Sequence, residues 1–140
     1  MARSMVVGDI MSTRVVTAST EETVYRVASL MASAGVGSCV IVRDDKPVGI
    51  VTERDIVRRF VARGPTSRKV KVGDIMTSPV IVVGEKTGLA EAAAIMAQHR
   101  IRRLVVVRDE ELVGVVSVTD LVRSIGEGEV GMVAKAILRG

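Results

Sequence analysis

The sequence predicts an α/β (α+β) fold: two tandem β-α-β-β-α units, packed sheet to sheet with pseudo-twofold symmetry. Three observations lead there. First, the chain repeats itself. A shift of 65 positions lays Val7-Gly8-Asp9-Ile10-Met11 on Val72-Gly73-Asp74-Ile75-Met76, and Gly49-Ile50-Val51-Thr52-Glu53-Arg54-Asp55 on Gly114-Val115-Val116-Ser117-Val118-Thr119-Asp120. No gap is needed between residues 7–60 and 72–125, and 19 of the 54 pairs are identical, the pattern of an internal duplication. Second, each copy alternates short β-branched runs with stretches of helical spacing. Third, a sheet covered by two helices on one face needs a partner for the other, and a second copy supplies it.

The elements follow in order. Residues 1–7 read as an extended lead-in, and Val15-Val16-Thr17 as a short strand. Ser19-Thr20-Glu21-Glu22 has capping-box spacing, with Ser19 as N-cap and Glu22 at the third helical position. Val24, Val27, Ala28, Met31 and Ala34 recur on one helical face, and Gly35 is placed to end that helix. Ser38 to Arg43 is a buried strand, residues 44–47 a turn, and Val48 to Val51 a second strand. Thr52, with Asp55 three positions later, caps a helix running through Ile56, Val57 and Phe60 until Gly64-Pro65 stops it.

The second copy repeats this plan. Val80 to Val83 is its first strand, and Gly84-Glu85-Lys86-Thr87 starts a helix with Leu89, Ala92, Ala93, Met96 and Ala97 on its apolar face. Leu104 to Val107 and Leu112 to Val116 are its other strands, and Ser117 caps a helix through Leu121, Val122 and Ile125. Gly126 and Gly128 then interrupt, and Val130 to Leu138 reads as a short helix packed on the body or on a partner. The divisions are residues 5–62 for the first repeat, 63–69 for a linker, 70–126 for the second repeat and 127–140 for a C-terminal tail.

Composition sets limits. The 140 residues are 48% hydrophobic, enough for one ordinary domain or two small ones sharing a core. One repeat alone, at about 55–60 residues, would bury only about 60% of its unfolded surface. Tyr25 and Phe60 are the only aromatics, so the core is built from Val, Ile, Leu, Ala and Met. The single cysteine, Cys39, rules out an internal disulfide framework and reads as a buried strand thiol beside Val40, Ile41 and Val42. It is compatible with a reducing compartment, and a cytoplasmic location is expected. Met1 to Gly8 lacks the apolar core of a signal peptide, and no run of 18 apolar residues offers a membrane span. The net charge of +4 is modest and spread out; the one compact basic run, Arg68-Lys69-Val70-Lys71, reads as a surface linker. His99 has no second His or Cys nearby, so it is expected at a helix C-terminus rather than on a metal.

The repeated motif carries the chemistry. Thr52 and Ser117 sit where a strand hands over to a helix, a place whose first-turn amides favour anions. Asp55 and Asp120 add a carboxylate in the first turn, and a carboxylate can accept both hydrogen bonds of a vicinal diol such as ribose. The same residues would also make helix caps and nothing more, and the residues alone leave both readings open. The motif lacks the glycine density of a phosphate loop, and its acids have no paired base or activated nucleophile. No enzyme activity is expected.

The pattern resembles the CBS-domain pair, or Bateman module. The resemblance rests on Gly-Asp-Ile-Met-Ser (8–12) and Gly-Asp-Ile-Met-Thr (73–77), on the helices bearing Met31 and Met96, and on Gly-hydrophobic-x-Thr/Ser-x-x-Asp in both halves. The proline often found opening the middle strand is replaced by Val40 and Val105. The resemblance implies a stand-alone regulatory module with two clefts for AMP, ADP, ATP or S-adenosylmethionine, acting on a separate effector protein. One cleft would use Ser117, Thr119 and Asp120 opposite Met11, Val16, Val36, Gly37 and Ser38. The other would use Thr52, Arg54 and Asp55 facing Met76, Ile81, Ile101, Arg102 and Arg103. Asp55 and Asp120 would hold ribose, Ser117 and Thr52 would lie near ribose or phosphate, and Val16 and Ile81 would bound the base. The arginines of the second cleft imply a phosphorylated nucleotide there. The resemblance further implies a homodimer of pairs. Two alternatives remain: a structural dimerisation module, or a nucleic-acid-associated regulator using Arg58, Arg59, Arg63, Arg68, Lys69 and Lys71.

Overall fold

A computed structural model describes residues 5–64 and 68–125. Pro65, Gly126, Gly128 and the expected tail helix lie outside the described residues. In chain order the elements are α1 (Val7–Ile10), β1 (Thr17–Ser19), α2 (Val24–Ala34), β2 (Ser38–Arg43), β3 (Lys46–Thr52), α3 (Glu53–Arg59), β4 (Val82–Gly84), α4 (Leu89–His99), β5 (Arg103–Arg108), β6 (Glu111–Ser117) and α5 (Val118–Ile125). Short 3₁₀ turns occupy Val61–Arg63 and Val72–Asp74.

The chain forms two compact units whose borders differ from those of the repeats. One is continuous, Arg14–Val80; the other is split, Met1–Thr13 with Ile81–Gly140. Each holds one three-stranded sheet, in the order β1-β2-β3 or β4-β5-β6. In each the first pairing is parallel and the second antiparallel. The duplication extends to irregularities, with a bulge between Ile41 and Val42 in one sheet and between Val106 and Val107 in the other. Both hairpins turn through two residues with positive φ: Asp44 and Asp45 at 52° and 63°, Asp109 and Glu110 at 49° and 70°. Such turns match the right-handed twist of the flanking strands.

Each Gly-Asp-Ile-Met segment packs on the sheet of the other repeat. In the split unit, the Val7 and Gly8 amides donate to the Thr87 and Glu85 carbonyls at 2.8 Å, and Ser12 exchanges both backbone bonds with Val115. In the continuous unit, Val72 and Gly73 donate to the Glu22 and Thr20 carbonyls, and Thr77 exchanges both bonds with Ile50. Val7 and Val72 are fully buried within these contacts. Each core is thus filled partly from the opposite repeat: Val72 and Ile75 join Val24, Val27, Ile41 and Val51, while Val7 joins Met96, Leu104, Val106 and Val116.

Several boundaries differ from the sequence reading, for physical reasons. β1 is Thr17–Ser19 rather than Val15-Val16-Thr17, and β4 is Val82–Gly84 rather than Val80 to Val83. The parallel pairing with Val40–Val42 and with Val105–Val107 holds β1 extended two residues further and β4 one residue further. Ser19 therefore does not cap α2. Its Oγ accepts from the Glu21 amide within a turn, and Thr23 is the cap, its Oγ1 accepting from the Arg26 amide at 3.2 Å. Glu22 instead pairs with Arg26 at 3.4 Å. α4 likewise starts after Gly88, not within residues 84–87. The lead-in closes as one helical turn at Val7–Ile10, where the Asp9 carboxylate accepts from the Val6 amide. Ala97 is exposed on α4, and Val57 is exposed on α3. Gly35 ends α2 as expected, in the left-handed region at φ 68°.

Candidate functional site

The strand-to-helix junctions carry the same device in both units. Thr52 Oγ1 accepts from the Asp55 amide at 3.1 Å, and Asp55 Oδ2 accepts from the Thr52 amide at 3.0 Å. Ser117 Oγ accepts from the Asp120 amide at 3.1 Å, and Asp120 Oδ2 accepts from the Ser117 amide at 2.8 Å. Both motifs are therefore reciprocal helix caps. Each cap uses one oxygen of its aspartate, and a carboxylate has about four lone-pair positions. Capping fixes the direction of each acid without exhausting it, so capping and ligand binding are compatible roles.

The helix amides contribute less than the sequence suggests. The first amide of α3, at Glu53, donates to the Gly37 carbonyl at 3.1 Å, and that of α5, at Val118, donates to Arg102 at 3.0 Å. The amides of Asp55 and Asp120 are held by the caps. Positive charge at these junctions comes chiefly from arginine side chains.

The arginines are distributed unequally. In the split unit Arg103 stands opposite Ser117 in the β5–β6 register. Arg102, Arg103, Ser117, Val118 and Thr119 line a cavity of about 120 Å³. In the continuous unit Ser38 stands opposite Thr52, Gly37 precedes it, and exposed Arg54 takes the place of Thr119.

Residues assigned by sequence to one cleft are divided between units. The split unit holds Met11, Ile81, Ile101, Arg102, Arg103, Ser117, Thr119 and Asp120. The continuous unit holds Val16, Val36, Gly37, Ser38, Thr52, Arg54, Asp55 and Met76. Met11 thus shares a unit with Ser117 and Asp120, and Met76 with Thr52 and Asp55. Val16 and Ile81 are half-buried, and their carbonyls accept from the Val40 and Val105 amides at 3.0 Å.

Two features escaped the sequence reading. The motif glycines face the repeated methionines: a Cβ on Gly114 would lie 2.6 Å from Met11 Sδ, and one on Gly49 would lie 2.5 Å from Met76 Sδ. The recurrence of Met and Gly in both copies was the available signal. The other is Arg59. Its Nε lies 3.8 Å from Asp55 Oδ1, and its Nη1 donates to the carbonyls of Ile75 at 3.2 Å and Met76 at 3.3 Å. The aligned residue in the split unit is Ser124, whose Oγ donates to the Leu121 carbonyl at 2.7 Å. Asp120 Oδ1 has no such counter-charge among the described residues. An arginine late in an amphipathic helix reads as solvated charge, which is why this one escaped notice.

Other groups are structural. Burial pushes the Cys39 thiol up to about 11, far from a thiolate at neutral pH. His99 is the exposed last residue of α4, beside Arg100 in the left-handed cap position. Among the described residues no cluster of His, Cys, Asp and Glu is arranged for a metal, and no helix is long and apolar enough to cross a membrane. A second, apolar hollow of about 470 Å³ lies in the continuous unit between α2 and the end of α3, lined by Val24, Tyr25, Ile56, Phe60 and Val61.

Comparison with known proteins accords with this architecture. The family model "CBS domain" matches twice, at residues 7–62 and 72–127. An uncharacterized protein, MK0525, from Methanopyrus kandleri is 41% identical over 86% of this chain; the chain spans only 63% of that relative's length. A hexameric CBS-CP12 protein from bloom-forming cyanobacteria superposes with a TM-score of 0.79 at 32% identity, covering 88% of this chain and 73% of the other. The CBS domain pair of protein MJ0100, solved with 5-methylthioadenosine and S-adenosyl-L-methionine, gives a TM-score of 0.77 at 28% identity, covering 89% and 98%.

Proposed function

Because the chain belongs to the CBS-domain family, we propose that it is a regulatory module that binds an adenosyl compound and relays its occupancy to a separate effector protein, without catalysing a reaction. The observation that carries this reading is Asp120: its carboxylate is oriented by the Ser117 amide through Oδ2, while Oδ1 has no partner among the described residues. A carboxylate so held suits a ribose diol. Arg102, Arg103 and Thr119, which line a cavity with Ser117, suit the anionic portion of AMP, ADP or ATP. S-adenosylmethionine belongs to the same ligand class, and the MJ0100 pair supports including it. On this reading Met11, Ile81 and Ile101 of the split unit contribute apolar and backbone contacts to the base, and in the continuous unit Thr52, Arg54, Asp55 and Met76 form the related second motif with Val16, Val36, Gly37 and Ser38.

The same reading takes the module to be a cytoplasmic homodimer. The exposed Tyr25 and Val61 beside the α2–α3 hollow give such a dimer an apolar surface.

Calorimetric titration with AMP, ADP, ATP and S-adenosylmethionine tests the proposal. One compound should bind, and Asp120→Asn should weaken it at least about tenfold, the loss of a charge-assisted hydrogen bond. Silence from every compound, with folded protein free of copurified nucleotide, would leave a structural dimerisation module instead.

A further inference from the structure

The two aspartates of the repeated motif differ in one contact. Both are held through Oδ2 by the cap. The Asp55 side chain is 15% exposed, and Arg59 stands over its remaining oxygen. Arg59 is itself fixed: the same guanidinium that faces Oδ1 donates to the carbonyls of Ile75 and Met76. A planar guanidinium with several donors is suited to such a bridge. Among the described residues no corresponding group faces Asp120: Ser124 replaces the arginine and turns its hydroxyl to the backbone.

We propose that Arg59 is a specificity-determining residue that closes the Asp55 motif to an uncharged ribose diol, leaving Asp120 as the motif that accepts one. The inference rests on the adenosyl-binding reading above. A diol approaching Asp55 must displace Arg59 from the carboxylate and strain its two carbonyl bonds; a diol approaching Asp120 displaces nothing comparable. Adenosine, which carries the diol without a phosphate, reads this difference directly.

Titration of the full chain with adenosine is the test. The wild-type protein should bind one adenosine per chain; Asp120→Asn should abolish this, and Asp55→Asn should leave it. Arg59→Ser, which copies the split unit, should add a second site with an affinity within about threefold of the first. The added site should vanish in Arg59→Ser/Asp55→Asn, and Arg59→Lys, which keeps the charge, should stay at one site. Arg59→Gln serves if the serine variant does not fold.

If the wild type binds through Asp120 and a folded Arg59→Ser protein still binds one adenosine, the assignment of Arg59 falls alone. It also falls if Arg59→Ser weakens existing binding, because Arg59 would then be a ligand contact. If neither the wild type nor any variant binds an adenosyl compound, the ligand-binding reading falls and takes this one with it.

Discussion

The continuous and split units are two outcomes of one duplicated sequence. Their sheets share order, register, bulge position and hairpin geometry. Their interiors and helix ends do not agree. At the same sheet position one unit buries Cys39 and the other Leu104, both fully. At the same helix end one places Gly35 and the other Arg100. At the same point beyond the motif one has Arg59 and the other Ser124. Backbone plan is set by pattern and turn chemistry, which many sequences satisfy, whereas single side chains are free to diverge wherever the plan tolerates them.

The largest test of that comparison lies in the cores. Leu104→Ala should cost about 2–5 kcal/mol in urea unfolding, whereas Cys39→Ala at the matching position should cost about 1 kcal/mol, because far less is removed. Equal costs would mean that the two interiors are not independently packed.

Crowding comes next. A Cβ at Gly114 would meet the Ser12 carbonyl at 2.8 Å, and one at Gly49 the Thr77 carbonyl at 3.0 Å. Both alanine variants should lose about 1–3 kcal/mol, with Gly114→Ala the worse, since the backbone yields less readily than a thioether. A reversed order would place the strain in the methionines.

Smaller again is the helix end. Arg100 holds φ at 56°, a conformation that costs a non-glycine residue, so Arg100→Gly should raise stability by about 0.5–1 kcal/mol. Gly35→Ala should lower it by about 1 kcal/mol, and thermal melts would show opposite signs for matched positions.

The smallest effect concerns acid. Arg108 donates to both oxygens of Glu85 at 2.6 and 2.7 Å and holds that carboxyl below its usual 4.5. A depressed carboxyl contributes stability above its unfolded pKa and loses it as pH falls through the folded one. The pair at the matching positions in the other unit is Thr20 and Arg43, which has no such acid. Glu85→Gln should therefore flatten the decline in stability below about pH 4.5, while Thr20→Ser should leave its shape unchanged.

Much of this was legible in the sequence. The 65-residue shift exposed the duplication, the β-branched runs located β2, β3, β5 and β6 within two residues or so, and the Thr/Ser-x-x-Asp spacing identified two caps present in the structure. What failed was local competition. Ser19 and Glu22 satisfy the spacing of a cap, but parallel pairing of β1 keeps Ser19 extended, and only a tertiary contact decides between them. The crossing of Gly-Asp-Ile-Met onto the other repeat's sheet was equally hidden. Periodicity describes a segment's faces and not which sheet it lies against. Arg59 was hidden for the same reason, since its carbonyl partners lie 16 and 17 positions away.

That crossing has a consequence for synthesis. The Ser12 that must exchange hydrogen bonds with Val115 leaves the ribosome about a hundred residues before its partner. The continuous unit, by contrast, is complete once Val80 has emerged, and can close on its own contacts. Loop-closure entropy grows only slowly with length, so the long wait is a matter of timing more than of equilibrium. Residues 7–12 are made about a hundred residues before the sheet they pack on, and while they wait the nascent chain carries Val7 and Ile10 unburied.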